Sequence, residues 1–199
     1  MPKPKSHTRK ELVSSAMMHF WRHGYVASMD DLVRATGVSR HGIYAETGGK
    51  HGLFAACLEA YVEEIVTPAF ARVEQTGATL AEVAGYFEHQ IALAEKSGLP
   101  GPGCLMANTM TEIAPHDASA RASVENHNER LREGFRNALR NSQVAGSNNL
   151  TGKDREALAW TLVVFANGLW SMSRTVGDAA VLRRTIRTML QLVERRITP

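Results

Sequence analysis

The stretch SMDDLVRATGVSRHGIYAETGGK, residues 28–50, decides the fold. Ser28 and Asp31 stand where a helix is capped, and the run they open, Met29 to Thr36, turns Leu32 and Val33 to one side. Gly37 follows and supplies the left-handed backbone conformation that a tight turn needs. After Val38, Ser39 caps a third short helix from Arg40 to about Ala45. Val38 and Ile43 are spaced to fill the angle between the two helices. This is helix, tight turn, helix. The exposed N-terminus of the third helix carries the positive end of its dipole, which suits a phosphate or a base edge.

Working outward, Thr8 and Glu11 have the spacing of a capping box, and Leu12, Ala16 and Phe20 form a stripe ending at Gly24. Downstream, Thr79 and Glu82 repeat the box and open a helix through Val83, Phe87, Ile91 and Leu93 or Ala94. It stops at the loop from Gly98 to Gly103. A short helix runs from Cys104 and ends before Pro115. Asp117 caps the next, with Val124, Leu131, Phe135 and Leu139 on one face and Glu129/Arg132 and Glu133/Arg136 on the other. Beyond the polar loop at 146–149, Thr151 and Asp154 start a helix, and a last one follows Gly177-Asp178. Alternation of the strand type is missing. The expected fold is all-α: a three-helix head, residues 1–49 with a basic tail, joined by a long helix to a helical body, residues 50–199, with about nine helices in all.

Charge divides along the same line. Residues 1–50 carry eight Lys/Arg against four Asp/Glu, and the remainder carries fifteen against sixteen. A basic head on a near-neutral body is the footprint of a nucleic-acid module, although a solvated basic terminus would look the same.

The run Ala16, Phe20, Gly24-Tyr25, Ser28 to Val33, Gly37 to Tyr44, Lys50 and Leu53-Phe54 resembles the signature of the tetracycline-repressor (TetR) family, in order and spacing, over about residues 8–60. The resemblance implies an all-helical homodimer, a C-terminal body that binds a small-molecule effector, and usually repression at a palindromic DNA operator. Carried over by position, Ser39, Arg40, His41, Gly42 and Tyr44 face the major groove or its flanking phosphates, and Ser28 and Lys50 hold the backbone on either side. Arg40 can offer guanine a bidentate pair. The chain departs from the family at Thr47, where an aromatic residue usually packs the recognition helix onto the head, and Glu46 places an acid near the DNA face. A looser helix end is expected there, with Thr47→Phe stabilising the head. The tail residues Lys3, Lys5, Arg9 and Lys10 can reach phosphates or the minor groove.

In the body, Gly103 to Asn108 and Ala114 to Asp117 resemble one group of C-terminal domains within that family. Candidates to line an effector pocket are Phe87, Ile91, Cys104, Met106, Met110, Trp160, Phe165 and Trp170, with Asn108, Glu112, His116 and Asn167 as orienting polar groups. Cys104, at a helix N-terminus, reads either as a thiol activated by the dipole, hence a sensor of oxidants or electrophiles, or as a small buried residue. The penultimate helix is bulky on more than one side. With the last helix it is the dimer candidate, through Leu162, Leu169, Leu182, Ile186 and Met189, with Arg183, Arg184 and Arg187 at the rim.

Several classes of function find no support. There is no His-Glu-x-x-His, phosphate loop or nucleophile elbow, so an all-helical enzyme is the weaker reading and neither metal nor cofactor is expected. A helix-turn-helix protein acting through protein partners, or as an architectural factor without an effector, remains open. Two cysteines, Cys57 and Cys104, make no disulfide framework, and no apolar run is long enough to span a membrane. With no secretory leader apparent, a cytoplasmic protein is expected.

Overall fold

The computed structural model of the protein describes residues 8–143 and 150–197. Lys3, Lys5 and the loop 146–149 lie outside the described residues. Within them the secondary structure is helical throughout. The head comprises α1 (Arg9–His23), α2 (Met29–Thr36) and α3 (Arg40–Thr47). The body follows with α4 (Lys50–Tyr61), α5 (Thr67–Phe70), α6 (Leu80–Ser97), α7 (Leu105–Glu112), α8 (Ala118–Asn141), α9 (Gly152–Met172) and α10 (Ala179–Ile197). A π-helical turn, Val62–Val66, joins α4 to α5 without a break, so the ten helices form nine rods. The turn has a local cause: Pro68 has no N–H to give the Glu64 carbonyl, and the Thr67 N–H reaches back to Val62 instead.

The capping residues do what their spacing predicts. Thr8/Glu11, Ser28/Asp31, Thr79/Glu82 and Thr151/Asp154 all close reciprocal capping boxes, and Asp117 accepts from the Ala120 N–H at 2.8 Å. The third helix runs two residues further than its sequence pattern suggests, to Thr47.

A single apolar core extends from the head into the body. Phe20 meets Phe54 edge-on with ring centroids 5.0 Å apart, so the first half of α4 packs on the head as much as on the body. Phe70, Phe87 and Phe135 are fully buried and bind α5, α6 and α8 together. Cys57, also fully buried, gives its thiol hydrogen to the Val13 carbonyl and is a core residue.

Candidate DNA-binding surface and effector cavity

The turn between α2 and α3 is built as its residues require. Gly37 adopts φ 68°, ψ 4°, the left-handed region. Leu32 and Ile43 are fully buried in the angle and Val38 is half-buried against them. The Thr36 hydroxyl donates to the Leu32 carbonyl at 2.7 Å and accepts from the Val38 N–H at 3.2 Å, so the buried polar group inside the turn is satisfied. Ser39 accepts from the Gly42 N–H at 3.1 Å and fixes the start of α3.

This leaves Ser39, Arg40, His41 and Tyr44 exposed on one side of the head, with Gly42 half-exposed among them. The Arg40 guanidinium rests on Asp30 at 2.9 Å in an ion pair open to solvent, a contact weak enough to be exchanged. Ser28 is more committed: its hydroxyl and its N–H both face the Asp31 carboxylate, at 2.6 and 2.8 Å. Asp31 is held below the usual carboxylate range by those hydrogen bonds, and it also pairs with Arg34. Lys50, at the start of α4, lies over the Tyr25 ring at 4.3 Å from its centroid, and partial burial lowers its pKa.

At Thr47 the structure supplies what the missing aromatic would have done by other means. The Thr47 hydroxyl donates to the Ile43 carbonyl at 2.8 Å and reaches the Gly49 carbonyl at 3.2 Å. A Cβ on Gly52 would lie 1.8 Å from the Thr47 carbonyl oxygen, so α3 and α4 meet backbone to backbone at this corner. The expected loose helix end is instead a closed one.

A cavity of about 810 Å³ lies where head and body meet. The head contributes Met18, Trp21 and Arg22 from α1. The body contributes Tyr61, Ile65 and Val66, then Tyr86 and Gln90 of α6, the loop from Gly98 to Cys104, His127 and Leu131 of α8, and Asn167 and Trp170 of α9. Of the pocket candidates, Cys104 and Trp170 line it, as does Asn167. Phe87, Ile91, Met106, Asn108, Met110 and Phe165 do not. Phe87 and Ile91 are wholly enclosed in the core, and Asn108 is spent on structure, donating to the Pro102 carbonyl at 2.9 Å and accepting from Arg174 at 3.2 Å. Trp160 points away, 44% exposed on the outer side of α9. Helical period alone could not separate core from cavity wall, and it missed Tyr61, Tyr86 and His127 because their neighbours are far away in sequence.

Of the two readings of Cys104, the structure favours the buried one. The residue does occupy the N-cap of α7, but burial pushes its pKa up, outweighing the nearby Tyr61 hydroxyl and the backbone N–H groups of Met106 and Ala107. The bland reading, a small buried residue at a tight helix start, fits.

The segment around α7 also ties the body to the head. The Trp21 indole donates to the Gly103 carbonyl at 3.0 Å and the Tyr25 N–H donates to Glu112 at 3.0 Å, while His51, at the start of α4 where it packs on the head, meets Asp117 at 2.7 Å. These residues precede, end and follow α7. His116 is exposed beside them.

The dimer candidates need the clearest correction. Leu162, Leu169, Leu182 and Ile186 are buried inside the protomer, and Met189 is half-buried. The stripes they form close α9 and α10 onto their own body. Arg183 is drawn inward too, bound to Glu88 and Glu95 of α6 at 2.7 and 2.8 Å, whereas Arg184 and Arg187 are exposed. The large apolar residues left outside on these helices are Trp160, Val164 (70% exposed), Met172, Val181 and Leu192.

A recognition helix on a small capped head, above a helical body with a cavity at the junction, defines the class of helix-turn-helix regulators. Residues 12–57 match the bacterial regulatory proteins of the tetR family, and residues 79–189 match the tetracyclin repressor-like C-terminal domain. The chain belongs to the tetR family and is a DNA-binding transcriptional regulator, not an enzyme. The HTH-type transcriptional repressor ComR of Escherichia coli (strain K12) is 37% identical over 116 residues, 57% of this chain and 54% of ComR, so the chain aligns with about half of that relative's length. The uncharacterized HTH-type transcriptional regulator YezE of Bacillus subtilis (strain 168) is 23% identical over 191 residues, 93% of this chain and 98% of YezE. Among solved structures, a cysteine mutant of the TetR family regulator CifR, complexed with 26-base-pair double-strand operator DNA, superposes with a TM-score of 0.78 at 20% identity, covering 99% of this chain and 100% of that one. No helix among the described residues is long and apolar enough to cross a membrane.

Proposed function

We propose that the protein is a homodimeric cytoplasmic repressor that binds a palindromic operator and leaves it when a small molecule fills the cavity. One observation carries the reading. The head's first helix forms part of the cavity wall, so whatever occupies the cavity touches the element on which the DNA-reading helices are mounted. An occupant that fits one placement of α1 better than another shifts the head by its difference in affinity for the two. The names of ComR, a repressor, and of the CifR complex, with operator DNA, support repression and operator binding by analogy.

In this reading Ser39, Arg40, His41, Gly42 and Tyr44 read the major groove. Lys50 and the N-terminus of α2, capped by Ser28, hold the phosphates on either side. The exposed apolar side of α9 and α10, centred on Trp160 and Val164, joins the two protomers, with Phe165 and Met189 beside it. Two heads related by a twofold axis then read half-sites about one helical turn apart.

The test is to recover the preferred DNA from random sequence with the purified protein and to measure binding against salt. A palindrome bound with a steep salt dependence is expected, and a site without symmetry would end the dimer reading. Arg40→Ala should relax the preference at one base position by about 1–3 kcal/mol, while Lys50→Ala weakens all sequences alike. Val164→Glu should leave the fold intact and yield monomers in sedimentation. Failure of any small molecule to release the DNA would leave a regulator without an effector.

A further inference from the structure

The cavity wall holds a deeply buried polar group that the fold does not use. His127 is 93% buried in the wall (7% exposed), and its Nδ1 has no hydrogen-bond partner. Of the other polar side chains in the wall, Gln90 is half-buried and Arg22 exposed, and those set deeper are engaged at least in part. The Tyr61 hydroxyl interacts with the Cys104 thiol, and Tyr86 with the Trp170 indole. Both amide hydrogens of Asn167 are given away, to the Asn128 side chain and the Val163 carbonyl, each at 3.0 Å, which leaves its oxygen as the group it can offer. An unpaired buried nitrogen costs stability, and a molecule that supplied its partner would recover that cost.

The charge of the wall narrows what that partner can be. Among the described residues no Asp or Glu lines the cavity, and the one strongly basic side chain that does, Arg22, is exposed on α1. His127 itself is neutral near pH 7, because burial, aided by the Arg130 charge, lowers its pKa to about 4. A buried cation would find no counter-charge, and a carboxylate beside His127 would meet a neutral ring, with the nearby Arg130 already paired to Glu74 and Arg22 out at the exposed end of the wall. The walls around it are aromatic: Trp21, Tyr61, Tyr86 and Trp170. The volume, about 810 Å³, lies within the range of small-molecule sites, roughly 300–1,000 Å³.

We propose that the cavity selects an uncharged, largely aromatic molecule bearing a hydroxyl group, and that His127 is the residue that binds that hydroxyl. A hydroxyl can donate to a neutral imidazole nitrogen or accept from it, and it can turn toward the Asn167 oxygen. This inference rests on the cavity being the effector site.

The test uses the full chain without DNA and three probes on one ring system: β-naphthol, its methyl ether and β-naphthoate, each measured by equilibrium dialysis. Wild type should bind β-naphthol about tenfold more tightly than the ether or the carboxylate, the yield of one well-placed hydrogen bond. His127→Leu should abolish that preference while holding or raising the melting temperature, since it removes an unpaired polar group. His127→Gln should retain part of the preference. The proposal is overturned by equal binding of naphthol and ether, by tightest binding of naphthoate, by no saturable binding of any probe, or by a His127→Leu protein that keeps the preference. A marked loss of stability in His127→Leu would also overturn it, because the imidazole would then be structural. DNA release is scored separately. Probes that obey this rule but leave DNA bound would count against effector control alone, and release by an anionic compound would count against the hydroxyl rule alone.

Discussion

The head and the cavity treat polar groups in opposite ways. In the head, the buried Thr36 hydroxyl is paired with both Leu32 and Val38, and the caps at Ser28 and Ser39 are filled within three residues. In the cavity, His127 is buried with its Nδ1 unpaired. The head is closed on itself without DNA, as the proposed reading of base edges by side chains held in fixed places requires. The cavity keeps an unmet hydrogen bond at the buried His127 and a wall of aromatic rings. The closed head and the body that holds the cavity share one core through Phe20 and Phe54.

Breaking the rigid side should have the largest effect. Gly52→Ala sets a Cβ against the Thr47 carbonyl, backbone against backbone, so neither can yield cheaply. We expect a loss of about 3 kcal/mol in thermal or denaturant unfolding, with loss of DNA binding. A stable variant that still binds DNA would mean the corner between α3 and α4 is softer than its geometry.

The incomplete side should show itself in acid. His127 has a folded pKa near 4 against an ordinary value of 6.5, so below about pH 6.5 the unfolded chain takes up a proton that the folded chain refuses. Its contribution is intact above that pH and declines as pH falls toward 4, by up to about 1.4 kcal/mol per pH unit. Unfolding measured between about pH 7 and 5 should be less acid-sensitive in His127→Leu than in wild type. Parallel curves would show that the imidazole is already solvated.

Smaller effects sharpen the contrast. Ser28→Ala removes the cap of α2 and should cost about 1 kcal/mol, read as a lower melting temperature. Thr47→Phe tests whether the head lacks an aromatic. It forfeits the hydroxyl's bonds to Ile43 and Gly49, so a change within about 1 kcal/mol in the destabilising direction is expected. A clear gain in melting temperature would restore the reading of a loose helix end.

What the chain announced by itself was local. Capping boxes three residues wide, the glycine at 37 and the apolar periods of α1, α6 and α8 are short-range requirements of a helix, and they are written side by side in the sequence. Most of the residues proposed to read DNA stand together in the sequence for the same reason: Ser39, Arg40, His41, Gly42 and Tyr44 occupy one short helix and its cap. Tertiary structure decided the rest. Whether Leu162 or Val164 faces outward depends on where α6 and α8 lie, and both residues look equally apolar in the sequence. The cavity wall draws on five separated stretches, so neither Tyr61 nor His127 could be placed in it by spacing. Thr47 shows both sides. Its departure from the family pattern was visible at once, but its consequence was set by Gly52, whose missing side chain lets α3 and α4 close on each other.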